Sequence, residues 1–556
     1  MKKYLLLLIS LCLAIGLHAQ KNEELQYSDI IECFDAGKYD EAMKLNSQFL
    51  LNNPKHIEAN WNMGFMPYTK RKYDESIRGF EAFKSMLKRR DVENHIRANW
   101  FLGYSYRYAG DKASAIRCFE RVLELDSEHV TVMANLADIY IENKNYSKAE
   151  DLLQKGLVIS ENDAAIWDTY CQFYYRTNDN SKALESINKA IAIDPKYARY
   201  HYAKAFLLED KGDVEGALKH YARSLSLYNG KDKETQNAIV RLSIQNYGEA
   251  LRAIDRELEN GEDDAWNELR ARVFSENGRH DRAVKEYSRL INGKTKDQAS
   301  YYMYMRAMEY QELGFHKAAI KDFETVRVYY PKYEYLYGAM ADSYRLLTDF
   351  NSAIEHFSIA IELAPGEAWF YYRRGWCKEY VEDYKGALAD YNESIDINPD
   401  YSYSYLQRGR LFEKYLNQAE SAKRDYEKIL ELDTVPTSIG NCRQYALMHL
   451  GQKQEAIAWM NHILESFPDE AGFYYDALCM YAAMDEEEAA ILHLELALEK
   501  GYTNFGHLAT DDDLDNVRNL EAFKVLIEKW KQIHGASQPK EVEEKEKAIG
   551  YRRLVG

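Results

Sequence analysis

The sequence predicts an all-α solenoid of about fourteen helix-turn-helix units, ended by a C-terminal capping helix. Three observations predict it. A small residue recurs at Ala42, Ser76, Ala115, Ala149, Ala183, Ala217, Ala250, Ala283, Ala319, Ala353, Ala387, Ala422, Ala456 and Ala490; eight of the thirteen intervals are 34 residues, and the others run from 33 to 39. Six of the nine prolines (Pro54, Pro195, Pro331, Pro365, Pro399 and Pro468) stand twelve residues after a small position. With 28 glycines and 9 prolines in 556 residues, the chain is too poor in turn formers for an all-β protein.

Each unit reads as two amphipathic helices. Around Ala353, the residues Tyr337, Met340, Ala341 and Tyr344 keep helical spacing on the first helix, and Ala353, Phe357 and Ala360 keep it on the second. The small residue marks the place where two antiparallel helices interlock, which a large side chain would prevent. Pro365 stops the second helix, because proline lacks a backbone donor and clashes with the preceding turn. An aromatic residue stands three places before the small one at Tyr39, Tyr73, Tyr146, Tyr247, Phe350 and Tyr384. On these residues the stretch from about Tyr27 to Lys500 resembles the tetratricopeptide repeat family. The resemblance implies a right-handed superhelical solenoid that binds protein partners and is not an enzyme.

Residues 1–19, MKKYLLLLISLCLAIGLHA, have the charged, apolar and small-residue order of a secretory signal peptide, so Gln20 is the expected mature N-terminus. The apolar run is too short to span a bilayer, and Leu11 rather than a small residue precedes Cys12, which argues against a lipid anchor. The chain resembles the exported bacterial type of the family, with the periplasm as the expected location and full secretion as the second. Residues 20–228 form an N-terminal repeat block, where Pro67 predicts a kink in the first helix of the Ser76 unit. Residues 229–297 hold two degenerate units, around Ala250 and Ala283, which lack the proline and follow the polar inserts NGKDKETQ and NGKTKDQ; a break between two blocks is expected there. Residues 298–500 form the C-terminal block.

Residues 501–534 resemble the closing segment of many bacterial members of the family. There Leu520, Phe523, Leu526, Ile527 and Trp530 make an apolar stripe suited to cover the last repeat's open face, which a solenoid needs for solubility. The charged tail at 535–556 is expected to be mobile.

The net charge of −18, from 72 Lys+Arg against 90 Asp+Glu, repels phosphate backbones and anionic lipid, so no nucleic-acid partner is expected; no run beyond the leader is apolar enough to span a membrane, so no span is expected in the mature chain. Beyond the leader, Cys33, Cys118, Cys171, Cys377, Cys442 and Cys479 are far apart and fall inside helical patterns, which reads as free thiols without a metal site. No catalytic or phosphate-binding motif is present, and no cofactor is expected. The acidic run Asp511, Asp512, Asp513 and Asp515 has Asn516 where a calcium loop needs glycine and Ala522 where it needs glutamate; it reads as helix-start charge in the cap.

The ligand-binding candidates come from the stretch 367–380, EAWFYYRRGWCKEY. At 100° per residue, Tyr371, Gly375 and Lys378 face the partner helix, whereas Trp369, Tyr372 and Trp376 share another stripe. In the resembling family that second stripe lines the concave groove. Equivalent places hold Tyr301, Tyr304, Tyr335 and Tyr403, and, further towards the N-terminus, Trp61, Phe65, Trp100 and Tyr104. The family's best-known clamp for a C-terminal carboxylate uses Lys and Asn, and the matching places here carry Tyr304, Asp342, Tyr372 and Trp376, so that clamp does not transfer. The reading is a non-enzymatic scaffold of the bacterial cell envelope that binds a peptide or protein through an aromatic groove. A glycan-binding envelope protein using the same rings, or an architectural spacer, is the alternative.

Overall fold

The computed structural model describes residues 25–259, 263–437, 442–502 and 505–535. The leader at 1–19 and the tail beyond 535 lie outside them. The described residues form thirty α-helices, one short 3₁₀ turn and no strand. Contacts divide the chain into two compact units, Met1–Thr235 and Gln236–Gly556, so the division falls inside the stretch 229–297.

Unit 1 holds six helical hairpins: α1 (Tyr27–Asp35) with α2 (Tyr39–Asn52), α3 (Ile57–Thr69) with α4 (Tyr73–Met86), α5 (Val92–Tyr108) with α6 (Lys112–Leu125), α7 (Val130–Glu142) with α8 (Tyr146–Ile159), α9 (Ala164–Arg176) with α10 (Asn180–Ile193), and α11 (Ala198–Asp210) with α12 (Val214–Leu227). Helix α13 (Lys233–Ser243) carries the boundary and is followed by α14 (Tyr247–Leu258). Unit 2 continues with α15 (Asp264–Glu276) and α16 (His280–Ile291), α17 (Lys296–Glu312) and α18 (His316–Tyr329), α19 (Glu334–Leu346) and α20 (Phe350–Leu363), and α21 (Ala368–Tyr380) and α22 (Tyr384–Ile397). It ends with α23 (Ser402–Lys414) and α24 (Ala419–Leu432), α25 (Arg443–His449) and α26 (Lys453–Ser466), α27 (Ala471–Ala483) and α28 (Glu487–Glu499), then α29 (Phe505–Thr510) and α30 (Glu521–Gly535).

The repeat follows from three local constraints. Every small residue of the 34-residue pattern is at most 2% exposed, as a helix crossing requires. Four places later an aromatic ring fills the hairpin in eight of the fourteen units: at Gly375 an added Cβ would stand 2.9 Å from the Tyr391 ring, and at Gly103 it would stand 2.4 Å from Phe119. Five places before the small residue the turn adopts a left-handed backbone in every hairpin but α13–α14. Glycine takes that place at six hairpins, and Arg71, Lys144, Asn178, Thr348, Glu382, Asn417 and Asp485 take it elsewhere. The six patterned prolines each stand two residues beyond a second helix, at the ends of α2, α10, α18, α20, α22 and α26. Pro67 falls in the last turn of α3.

At the C-terminus Leu508, Leu514, Val517 and Phe523 are buried against Leu494, Ala497 and Leu498 of α28 and Leu478 of α27, with Leu520, Leu526, Ile527 and Trp530 packed around them. The six cysteines are unpaired, and all but Cys33 are buried. Burial pushes the Cys118 thiol up to about 11 and those of Cys171 and Cys377 to about 12, so they stay protonated and unreactive.

Candidate functional site

The first helices of five successive hairpins of unit 2 (α19, α21, α23, α25 and α27), together with the segment from α29 to Leu514, enclose one cavity of about 410 Å³. Its walls are rings and charges. Tyr372, Trp376, Tyr403, Tyr415, Tyr445 and Tyr475 supply the rings; Arg345, Arg373, Arg410 and Lys414 the cations; Glu379, Asp476, Asp511 and Asp513 the carboxyls. The 34-residue register explains the convergence, because residues at equivalent places on successive first helices project to the same side.

The cations sit at two places. Arg345 Nε lies 3.0 Å and Arg373 Nη1 3.5 Å from the same oxygen, Oδ1 of Asp342, so two guanidinium groups share one carboxylate. Arg345 also lies over the Trp376 ring, 4.9 Å from its centre, and Arg373 lies 5.8 Å from that of Tyr372. The Asp342 charge holds Arg373 above the ordinary arginine range. Arg410, on α23, donates to Asp513 Oδ1 at 2.5 Å and to its Oδ2 at 3.4 Å.

The carboxyls divide by surroundings. Burial pushes Glu379 up to about 7, opposed by the hydrogen bond it accepts from the Tyr391 hydroxyl and by Arg410 and Lys414. Burial also pushes Asp476 to about 7; Tyr445 donates to it at 3.3 Å, and Asp511 and Asp513 lie near. Asp511 accepts from the Tyr475 hydroxyl and stands 3.8 Å from the Cys479 thiol. His507, 3.6 Å from Asp511, is held below the usual histidine range, chiefly by burial and secondarily by Arg345 and Arg373 against the pull of Asp511. The cavity is therefore an amphoteric, aromatic enclosure that suits a ligand with both apolar and charged groups.

Of the seven candidates from the sequence, the structure brings Tyr372, Trp376 and Tyr403 together in this cavity, the rings of Tyr372 and Tyr403 being 6.0 Å apart. Trp369 lies elsewhere: its indole packs 4.1 Å from Phe370 and edge-on to Phe357, against the space left by Gly338 of the preceding hairpin. Tyr301 donates to Glu268 at 3.1 Å, Tyr304 packs on Phe323 and Tyr333, and Tyr335 donates to Glu367 at 3.3 Å; none of the three lines the cavity. On the other stripe, Gly375 and Lys378 do face α22, the lysine 2.9 Å from Asp390. The acidic run differs from expectation. It spans the 3₁₀ turn Asp512–Leu514 rather than opening α30, and Asp511 and Asp513 turn into the cavity, where Tyr475 and Arg410 supply donors.

The charged residues escaped a search for rings alone. Their signal is register: Arg410 stands 34 residues after Trp376, and Asp476 holds, relative to Ala490, the place Arg373 holds relative to Ala387.

Known proteins resemble parts of the chain. Profiles of the tetratricopeptide repeat match residues 106–169, 174–232, 235–300 and 370–401, covering parts of both units. These segments match tetratricopeptide repeats. Those at 235–300 include the hairpins whose sequence reads as degenerate. Among curated proteins, a tetratricopeptide repeat-containing protein of Methanocaldococcus jannaschii is 24% identical over 354 residues, which cover 51% of this chain and 60% of that one. The NatA auxiliary subunit N-alpha-acetyltransferase 16 of Homo sapiens is 22% identical over 190 residues, 33% of this chain and 21% of that protein. The chain thus spans about a fifth of that subunit's length. Among solved structures, the Cut9–Hcn1 hetero-tetramer of the APC/C aligns at a TM-score of 0.32 and 13% identity, over 86% of this chain and 98% of that one. MamA aligns at a TM-score of 0.28 and 19% identity, over 30% and 94%. Tetratricopeptide repeats generally mediate protein–protein interactions, and their hosts are typically non-catalytic scaffolds. No helix among the described residues is long and apolar enough to cross a membrane.

Proposed function

We propose that this protein is an exported, non-enzymatic scaffold of the cell envelope that holds a peptide segment of a partner protein in the cavity of unit 2. The observation that carries the reading is the convergence of Tyr372, Trp376 and Tyr403 with the Arg345–Arg373 pair around one enclosure of about 410 Å³. A peptide segment uses such a site fully, since rings anchor its apolar side chains and the charges fix its register. A glycan would need open ring faces to stack on. Here Arg345 already lies over Trp376, whose ring also meets Phe350 and Tyr380, while Tyr372 is met edge-on by Tyr401. The ring arrangement therefore favours peptide over sugar.

The test is capture from a native envelope extract with wild-type, Tyr372→Ala and Trp376→Ala proteins, followed by identification of what is bound. A groove anchor is worth roughly 2 kcal/mol or more, about thirtyfold in affinity, so each variant is expected to lose the protein partner while keeping a melting transition. Phe357→Ala, at a fully buried ring, is the stability control and is expected to cost about 3–5 kcal/mol. A partner retained by both cavity variants overturns the reading in favour of a spacer, and captured sugar overturns it in favour of a glycan site. Export is tested by N-terminal sequencing, with Gln20 expected as the first residue; a lipidated Cys12 overturns it.

A further inference from the structure

The cap does more than its packing duty requires. Covering the last hairpin needs the buried side chains of Leu508, Leu514, Val517 and Phe523, and these meet α27 and α28. It does not need Asp511 and Asp513. Yet Asp513 reaches Arg410 on α23, two hairpins back and 103 residues away in sequence, through a two-oxygen contact at 2.5 and 3.4 Å. Asp511 takes the Tyr475 hydroxyl within the same enclosure. Paired contacts between a guanidinium and a carboxylate are the kind by which a protein recognises an acidic ligand. Beyond them, His507 faces Arg345 and Arg373, where two guanidinium groups share the single carboxylate of Asp342 and one positive charge is left in excess.

We propose that the run around Asp511 and Asp513 is an in-chain occupant of the cavity, and that the partner's contacting segment is itself acidic and competes with this run for Arg410. The proposal rests on the peptide-binding reading and names the chemistry of the peptide: two carboxylates spaced as Asp511 and Asp513. One carboxylate replaces Asp513 on Arg410, and the second meets the excess charge at Arg345 and Arg373. The tethered run acts at a high effective concentration, so it screens out weak acidic ligands and admits those that make the additional contacts.

The experiment measures binding of a labelled synthetic peptide of residues 507–518, HLATDDDLDNVR, to the full chain by fluorescence anisotropy. With Asp511→Asn and Asp513→Asn together, the in-chain carboxylates are removed and the peptide is expected to bind at least tenfold more tightly than to wild type. Adding Arg410→Met is expected to abolish that gain, as is a peptide with asparagine at both positions, and the affinity is expected to fall with salt. Absence of peptide binding to the folded double variant, or equal binding of the two peptides, overturns the proposal. Should the double variant lose its melting transition, Asp513→Asn alone keeps the Tyr475 contact and repeats the measurement with the same criteria. Capture that depends on Tyr372 and Trp376 but is not released by the acidic peptide sinks this inference and leaves the peptide-binding reading standing. Peptide binding without any captured protein does the opposite.

Discussion

The two units solve one packing problem with different chemistry. Thirteen residues before the small position, a first helix faces the second helix of its own hairpin and that of the preceding one. In unit 1 the residues at these two places are Asp29 and Leu45, Met63 and Gly79, Leu102 and Cys118, Leu136 and Leu152, Tyr170 and Ser186, and Lys204 and His220, which offer no pair of opposite charges. In unit 2 they form an ion pair three times by the same count and once more, at Arg408, with one extra residue in the turn. Arg270 meets Glu286 at 3.0 Å; Arg306, Arg374 and Arg408 each grip both oxygens of Asp322, Asp390 and Asp425 at 2.7–2.9 Å. Each arginine also reaches the preceding second helix, at Asp255, Ser288, Ser358 or Asn392. Buried ion pairs are no more stabilising than well-packed apolar groups of the same volume, but they are directional. Unit 2, which must hold five hairpins around a charged enclosure, spends four of these places on angular definition, whereas unit 1 has no such ion pair at any of its six.

The largest effect that sharpens this contrast is loss of the cap. Deleting residues 505–535 bares Leu478, Leu494 and Leu498 at the end of unit 2, and aggregation in light scattering is the expected outcome. A truncated chain that stays monodisperse with unchanged melting would show that the segment is no cap.

Next come the pins. Asp390 is 5% and Arg374 18% exposed at the side chain, so Asp390→Ala leaves a guanidinium largely out of water and is expected to destabilise unit 2 by about 3–5 kcal/mol. Lys378 also lies 2.9 Å from Asp390, and the neighbouring hairpin uses Met340, Tyr344 and His356 at the three places, so Arg374→Met with Lys378→Tyr and Asp390→His is expected to return to within about 1.5 kcal/mol of wild type in denaturant melts. In unit 1, Leu136→Ala is expected to cost about 2–5 kcal/mol and to show no salt dependence. Equal salt sensitivity of the two single variants would erase the distinction.

Acid moves two hairpins in opposite directions. In α11–α12, His201 Nδ1 and His220 Nδ1 are 3.2 Å apart, and His201 Nε2 faces the Pro195 carbonyl, so only one of the facing Nδ1 atoms can carry a proton and the two rings cannot both be charged. Burial first, then Lys204, His201 and Lys219, outweigh Asp213 and push His220 down to about 4; burial, Arg223 and Lys204 lower His201 despite the Pro195 carbonyl. A folded value below the unfolded 6.5 means stability is complete above 6.5 and lost as pH falls toward 4. Glu379 in α21 is the reverse case. Its folded value of about 7 lies above the unfolded 4.5, so stability is lowest above 7 and gained as pH falls toward 4.5. Between pH 7.5 and 5.5, hydrogen exchange corrected for its intrinsic pH dependence is expected to quicken in α11–α12 and slow in α21–α22, each by roughly tenfold. Parallel shifts would contradict both assignments.

The smallest effect is one the units share. Thr348 holds a β-branched side chain at φ 60°, and Thr348→Gly is expected to stabilise by up to about 1 kcal/mol, while Gly110→Ala in unit 1, at φ 90°, costs a similar amount. A thermal melt of each checks the sign.

The fold was legible because its rules are local: a small residue at each crossing, in six units a ring three places before it, and in six a proline past the second helix. Half of the site was legible for the same reason, since helical arithmetic separates Tyr372 and Trp376 from Gly375 and Lys378. Trp369 shows where this stops. Its place against Phe357 depends on the gap at Gly338, a property of the neighbouring hairpin. Arg410 and Asp513 were illegible as a pair, because no local spacing relates residues 103 apart.

That one bond also changes how the C-terminal end comes apart. A stack in which each hairpin rests on its neighbours behaves as a one-dimensional zipper and frays from its ends, one hairpin after another. The contact between Arg410 and Asp513 closes the last three hairpins, α23 to α28, into a ring. Opening any one of them forfeits the tie, while leaving it shut confines the loosened chain within a loop. The last three hairpins therefore melt as one cooperative block, and the terminus that a free zipper would lose first becomes one that holds until the whole block goes.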